Sequence, residues 1–591
     1  MEPRFIVGPP GTGKTHTWIV KKYKECFVEY NPDKMILLSH TNVAVGQILD
    51  AIMDLKEVKE KGYRRKFFKD RICTIHHYCK SKLIGNKTLF SNEDLQGLCI
   101  TEDGRGFRQS KERDIEKHPI LKFIKEARGN GRDLDKHWNH SNTDKKDLFK
   151  ANYNIENIKK LSKAYKDYKN DKENRLQDFA DMIDEFNLIY SNEENPNSKE
   201  SDIEVLIVDE AQDSNIPQLR AIKKIAKHVI DSHFYLVGDP DQTIHEYAGS
   251  DAEWFHKAAA HPYEELEQGL RCGRAINEFC KKIIAPIWKH YEYEGGGRTW
   301  LPAVYNKKYH EIPEGCKEGD TIEGNIYPLT DFKPSKNLDI LIDKMRNTKQ
   351  SFIFSFRGNP SDKLVTNFLK KYGFEYAHVD NSAYVSKKEL RCHFEWPKFI
   401  KGEPKSLKQI KDFHFYLGRK ALVHGAGKED FKNWIKKDYT YNELINNKIF
   451  KLALDKEFDL LRKERDSDRM IYIKNVLRNG FDFDGDIRIK YGNIHKVKGT
   501  TFDNVIGDLS LYRPEPLPAQ LRLKYTMFSR GIHDAWVLKT QTGKELGKSG
   551  RVFSLQPWSM DEDSFHRKWR PDWNEIENPI NNDRRKINER V

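Results

Sequence analysis

The chain has 591 residues, of which 37% are hydrophobic, 33% charged and 12% aromatic, enough apolar material for packed cores and a length that implies about four compact units. Lysine and arginine (103) exceed aspartate and glutamate (90), a net charge of +13 that favours a polyanionic partner, nucleic acid first, although solubility alone would account for it equally well. No apolar run approaches the roughly 20 residues of a membrane span, no secretory signal is expected ahead of the first strand, and the eight cysteines form no Cys-x2-Cys pair, which argues against zinc, iron–sulfur and secreted disulfide frameworks and for a reducing compartment.

Arg4-Phe5-Ile6-Val7 is short and apolar, as a buried strand is. It runs into Gly8-Pro9-Pro10-Gly11-Thr12-Gly13-Lys14-Thr15 and then an amphipathic stretch containing Trp18, Ile19 and Tyr23. Strand, glycine-rich loop and helix in that order make a phosphate-cradling P-loop. Gly8, Pro9, Pro10, Gly11, Thr12 and Gly13 are expected to wrap the phosphates of a nucleoside triphosphate, Lys14 to reach the β- and γ-phosphates and Thr15 to hold Mg²⁺.

Further strand-like runs follow at Met35-Ile36-Leu37-Leu38, Val205-Leu206-Ile207-Val208 and Phe234-Tyr235-Leu236-Val237. A second set lies at Ser351–Phe354, Asn504–Ile506 and Ala535–Leu538, so two α/β cores with parallel strands are expected. Residues 81–171 and 385–485 are charged, helix-leaning segments that interrupt these cores, and residues 546–591 form a charged tail. Phe179, Met182, Ile183, Phe186 and Ile189 keep helical spacing and are expected to pack as core. Residues 192–197 and 294–298 read as loops.

Asp209-Glu210-Ala211-Gln212-Asp213 follows the strand at 205–208 and therefore sits at the carboxyl end of a sheet, where ligands of α/β proteins bind. Asp209 is the candidate for Mg²⁺, and Glu210 for orienting and deprotonating an attacking water. Taken alone, an acidic cluster there serves equally well as a helix cap.

At these residues the chain resembles the UvrD/Rep-like, PcrA-type helicases of superfamily 1, over about 1–80, 172–290 and 486–540. Ser39-His40-Thr41-Asn42-Val43-Ala44 is similar to the family's first DNA-contacting motif, and Thr74-Ile75-His76-His77-Tyr78-Cys79 to the next. Gly238-Asp239-Pro240-Asp241-Gln242-Thr243-Ile244 resembles the γ-phosphate-sensing motif. Leu266-Glu267-Gln268-Gly269-Leu270-Arg271, Ile494–Thr500 and Tyr525–Arg530 resemble the remaining three.

The resemblance implies two RecA-like P-loop domains with parallel sheets, each carrying a mainly helical insertion: 1–80 with 172–264, interrupted by 81–171, and 265–384 with 486–545, interrupted by 385–485. It implies ATP and Mg²⁺ as cofactors. Lys14, Glu210 and Gln242 would act in hydrolysis, with Arg271 and Arg530 contributed by the second core. His40, Thr41, Asn42, His76, Tyr247, His495 and Lys496 would contact nucleic acid. The expected activity is ATP-driven, 3′→5′ translocation on single-stranded DNA with unwinding of forked duplex, in the cytoplasm of a bacterial or virus-infected cell, with replication or repair proteins as partners and no membrane. An RNA helicase, a protein-stripping translocase and an ATP-switched assembly factor stay open. Leu270 stands where relatives stack a tyrosine on adenine and no room precedes Arg4 for their glutamine segment, which implies loose selectivity among nucleotides; Thr501 stands where relatives have a glutamate near the ribose, and Ala248 where an arginine supports the stacking aromatic.

Overall fold

The computed structural model describes residues 2–83, 88–89, 98–100, 107–109, 119–139, 154–170, 176–190, 202–230, 233–246, 249–259, 263–291, 297–357, 359–416, 437–446, 467–480, 482–508 and 517–539. These form two compact units, one holding the described residues up to Gly324 together with 517–529, the other running from Asn325 to 508 with 530–539. The tail at 546–591 lies outside the described residues.

In the first unit β1 (Arg4–Val7), β2 (Met35–Ser39) and β3 (Ile72–Thr74) precede an insertion with the short strands β4 (Thr88–Leu89), β5 (Leu98–Ile100), β6 (Phe107–Gln109) and β7 (Leu176–Gln177). After it come β8 (Val205–Val208), β9 (Phe234–Gly238) and β10 (Glu264–Glu265). The main sheet has six parallel strands in the order β10-β1-β9-β8-β2-β3. The inner strands β1, β9, β8 and β2 are apolar at nearly every position because both faces are covered. Ile6, Leu37, Ile207 and Val237 enter one core with Ile19, Tyr23 and Phe27, and Val7, Leu38, Leu206 and Leu236 enter the opposite one with Ile183, Phe186 and Leu219. Parallel strands flanked by helices require this double burial. The insertion contributes helices Pro119–Gly129, Leu134–Asn139 and Ile155–Asn170. Arg128 fastens it to helix Phe179–Ile189 through Asp178, Asp181 and Asp184, at 3.4, 2.9 and 2.7 Å.

The second unit repeats the plan with β11 (Ile326–Thr330), β12 (Phe352–Phe356) and β13 (Ala377–His378), an insertion containing the antiparallel pair β14 (Lys405–Ser406) and β15 (Asp438–Tyr439), then β16 (Ile489–Asn493), β17 (Phe502–Asp508) and β18 (Gly531–Lys539). Its six-stranded parallel sheet runs β11-β18-β17-β12-β16-β13. The insertion's helices Lys387–Ile400, Leu407–Tyr416 and Tyr441–Asn446 close around Trp396, Phe399, Phe413 and Leu444. The chain is thus α/β with two parallel sheets, each interrupted by a largely helical insertion, the architecture of RecA-like domains.

Candidate nucleotide-binding site

Three neighbouring strands of the first unit, β1, β9 and β8, end side by side. The segments 8–15, 239–242 and 209–213 therefore leave the sheet at one edge, the carboxyl ends where α/β proteins hold ligands. The Gly8 N–H donates to the Gly238 carbonyl at 3.2 Å and starts the loop against β9. Gly11 and Gly13 turn it with φ of 74° and 81°, a left-handed conformation that side chains disfavour. A Cβ on Gly13 would stand 2.5 Å from Thr17 Oγ1, and one on Gly11 2.5 Å from Arg271 Cβ. The Gly13 carbonyl accepts from both Thr17 and Trp18 N–H, at 2.8 and 3.0 Å, so the helix opens on a wide turn.

Lys14 is buried, and its Nζ donates to the Gly8 and Pro9 carbonyls at 2.6 and 3.3 Å. Burial lowers its pKa, opposed by the carboxylates of Asp239, Glu210 and Asp209. The Thr15 hydroxyl donates to Asp209 Oδ2 at 3.1 Å. Glu210 has φ of 52°, rare for a residue with a side chain and common at functional turns. Its N–H donates to Asp209 Oδ1 at 3.0 Å. Burial, and then the charge of Glu210, push the Asp209 carboxyl up to about 7. A hydroxyl and two carboxylates short of positive charge fit a hard divalent cation, for which Thr15 and Asp209 are the natural oxygen donors.

Gln212, which sequence reasoning passed over, joins the two acidic segments. Its Nε2 donates to Glu210 Oε2 at 2.5 Å and its Oε1 accepts the Asp239 N–H at 3.1 Å. Gly238 is the sequence signal for this bridge, because a Cβ there would meet Gln212 Oε1 at 2.1 Å. Gln242 Nε2 donates to Asp239 Oδ2 at 2.7 Å. Thr15, Asp209, Glu210, Gln212, Asp239 and Gln242 thus form one hydrogen-bonded chain.

Arg271 departs from expectation: it belongs to the unit that holds the P-loop. The reason is β10, which pairs with β1 and is continued by the Leu266 N–H donating to Val7 O at 2.8 Å. The chain therefore stays on this sheet's edge and lays residues 270–271 over the loop, with Leu270 N–H on Gly11 O at 2.7 Å. Arg271 Nη1 donates to Ser529 O at 3.3 Å. Arg530 belongs to the second unit, is buried, and its carbonyl accepts the Phe502 N–H at 3.0 Å.

Of the expected nucleic-acid contacts, His40 Nε2 lies 2.9 Å from Ser214 Oγ at the end of β2. Thr41 caps the next helix by accepting from Ala44 N–H at 3.1 Å, and Asn42 opens that helix exposed to solvent. His76 follows β3, 3.5 Å from Gln218 Nε2 and edge-on to Phe179 with ring centroids 5.1 Å apart. Phe179 is not core as its spacing predicts; it is 54% exposed. In the second unit the Arg357 guanidinium pairs with His495 Nε2, and Lys496 Nζ lies 3.9 Å from Asp380. Tyr247 lies outside the described residues.

Residues 1–262 match the family model described as UvrD/REP helicase N-terminal domain. A probable DNA helicase II homolog of Mycoplasma capricolum subsp. capricolum is 26% identical over 264 residues, covering 42% of this chain. The match spans 34% of that curated relative's length. The P-loop, the Asp209-Glu210 pair and Gln242 all fall inside the region that is similar to the UvrD/REP helicase N-terminal domain.

Proposed function

We propose that the protein is an ATP-dependent DNA helicase that translocates 3′→5′ on single-stranded DNA and separates forked duplex. The observation that carries this reading is the continuous hydrogen-bonded chain from Thr15 to Gln242, which joins phosphate loop, acidic pair and sensor segment in one unit. Lys14 would neutralise the β- and γ-phosphates, and Glu210 would orient the attacking water and take its proton. Mg²⁺, held by Thr15 and Asp209, would supply positive charge to the phosphate oxygens. Arg271, lying on the loop, would stabilise charge on the transferring phosphoryl group. A like role for Arg530 is supported by the resemblance of its motif.

His40, Thr41, Asn42 and His76 follow parallel strands of the first sheet and would take a single strand across their carboxyl ends, with Phe179 adding an exposed aromatic face. Tyr247, His495 and Lys496 carry the same role from their motifs. Stacking against aromatic groups tolerates any base sequence, as a motor on DNA requires. Replication or repair proteins are the expected partners. Strand displacement with 3′-tailed, 5′-tailed and RNA-tailed duplexes tests the reading. Unwinding should require ATP and a 3′ DNA tail; hydrolysis that no single strand stimulates would end it.

A further inference from the structure

Behind the sensor segment, the first unit buries an unusual group of charges. Asp239 and Asp241 are 0% exposed. The Arg298 side chain, 2% exposed on a loop after helix Arg274–His290, places Nη1 3.3 Å from Asp239 Oδ1 and Nε 3.9 Å from Asp241 Oδ2. Asp241 Oδ2 also accepts the Trp288 indole N–H at 2.7 Å, and Oδ1 lies 3.6 Å from His256 Nε2. Arg522 pairs with Glu246 nearby in sequence to the sensor. Burying such charges is costly, and apolar side chains of similar volume often stabilise as well or better, so this group invites a role other than holding the fold.

The two oxygens of Asp239 divide the work. Oδ1 faces Arg298 and accepts the Asp241 N–H at 3.1 Å, while Oδ2 accepts from Gln242 Nε2 at 2.7 Å. A carboxylate can only accept, so a fixed Asp239 commits the nitrogen end of the Gln242 amide and decides which end is which. We infer that Arg298 is a positioning residue for turnover: it locks Asp239, which holds the Gln242 amide in one orientation, so the guanidinium of Arg298 sets the sensor. This rests on the reading of Gln242 as the γ-phosphate sensor.

The test is a double-mutant cycle on the full chain, with single-strand-stimulated ATP hydrolysis measured for Arg298→Lys, Gln242→Ala and the pair. Arg298→Lys should keep the wild-type near-UV circular dichroism and a KM for ATP within about twofold, and lose about tenfold in kcat, as outer positioning residues commonly do. The double variant should be no slower than Gln242→Ala, since both act through one amide. A wild-type kcat in Arg298→Lys, or losses that multiply in the pair, overturns the inference. If Arg298→Lys loses its near-UV signal, the same cycle with Asp241→Asn decides by the same non-additivity. Full activity in Gln242→Ala would instead overturn the sensor reading, and the inference with it.

Discussion

Lys14 and Glu210 lie in one cluster but should fail differently when changed. Lys14→Ala removes the only lysine in the phosphate loop and should lose nucleotide affinity together with hydrolysis. Glu210→Gln keeps size and the bond to Gln212, so nucleotide binding should survive while turnover falls by about 10²–10⁴, the usual contribution of a general base. Arg530→Ala should lose about 10³–10⁵ in turnover if it acts as an arginine finger. Measuring nucleotide affinity and kcat separately assigns each residue, and wild-type hydrolysis in any variant removes it from the site. Leu270, whose N–H donates to Gly11 O, stands in the motif position where relatives stack a tyrosine, and there it would offer the base apolar contact without an aromatic face. GTP, CTP and UTP should therefore be hydrolysed within about tenfold of ATP in kcat/KM, a gap of about 1.4 kcal/mol; an ATP preference beyond about a thousandfold exceeds what apolar contact alone supplies and would refute it. His76 gives the pH response: burial lowers its pKa to about 4, against about 6.5 in the unfolded chain. Between these values the unfolded state holds the extra proton, so the neutral side chain's contribution is intact above about 6.5 and declines as pH falls towards 4, by up to about 3 kcal/mol. Thermal melts of wild type and His76→Gln should converge or cross over that window, and parallel curves would show that His76 titrates normally.

Helix Phe179–Ile189 shows what periodicity conveys and where it stops. Met182, Ile183 and Phe186 are buried as their spacing predicts, but Phe179, on the same stripe in the first turn, stands beyond the cover and faces His76. Spacing defines a face; it does not say how far a neighbouring element extends over it. Phe186→Ala should cost about 3–5 kcal/mol of stability. Phe179→Ala should change stability by no more than about 0.5 kcal/mol yet weaken single-strand binding by about 1–3 kcal/mol. Denaturant melts beside binding titrations separate the two, and a destabilised Phe179→Ala with unchanged binding would return that residue to the core. Strands were legible on the same terms. The continuous apolar runs of β1, β2, β8 and β9 announce double burial, whereas β10 and β13 are two residues long and β16 sets Lys490, Gly492 and Asn493 beside Ile489 and Tyr491. In the site, Lys14, Thr15, Asp209, Glu210 and Gln242 were legible because loop, strand end and spacing mark them. Gln212 and Arg298 were not, because their roles are side-chain bridges between segments 27 and 59 residues apart in sequence.

The first unit is discontinuous, and this shapes the largest consequence of the fold. The chain leaves it after Gly324 and returns with helix Leu517–Phe528, where Leu521, Leu523, Tyr525, Met527 and Phe528 are each at most 2% exposed. That helix packs along helix Arg274–His290, with Phe279 edge-on to Phe528 at 5.1 Å and Cys280 Sγ 3.9 Å from Tyr525 O. Trp300 meets Tyr525 at 5.8 Å, and Arg271, lying on the phosphate loop, donates to Ser529 O. The returning helix therefore serves both the core and the candidate nucleotide site of a unit whose other described residues end some two hundred positions earlier. Burial of a large apolar side chain contributes about 1.5–3 kcal/mol, so five together rival the whole stability of a typical domain, about 5–15 kcal/mol. A chain cut after Gly324 should consequently aggregate or lose its near-UV circular dichroism, and should bind no nucleotide. Joining residues 517–529 to that fragment through a flexible glycine–serine linker should restore both, because the linker need supply only proximity. Such a chain should still hydrolyse ATP poorly, since it ends before Arg530. A monomeric, nucleotide-binding fragment 1–324 without the helix would show that the unit closes its core unaided.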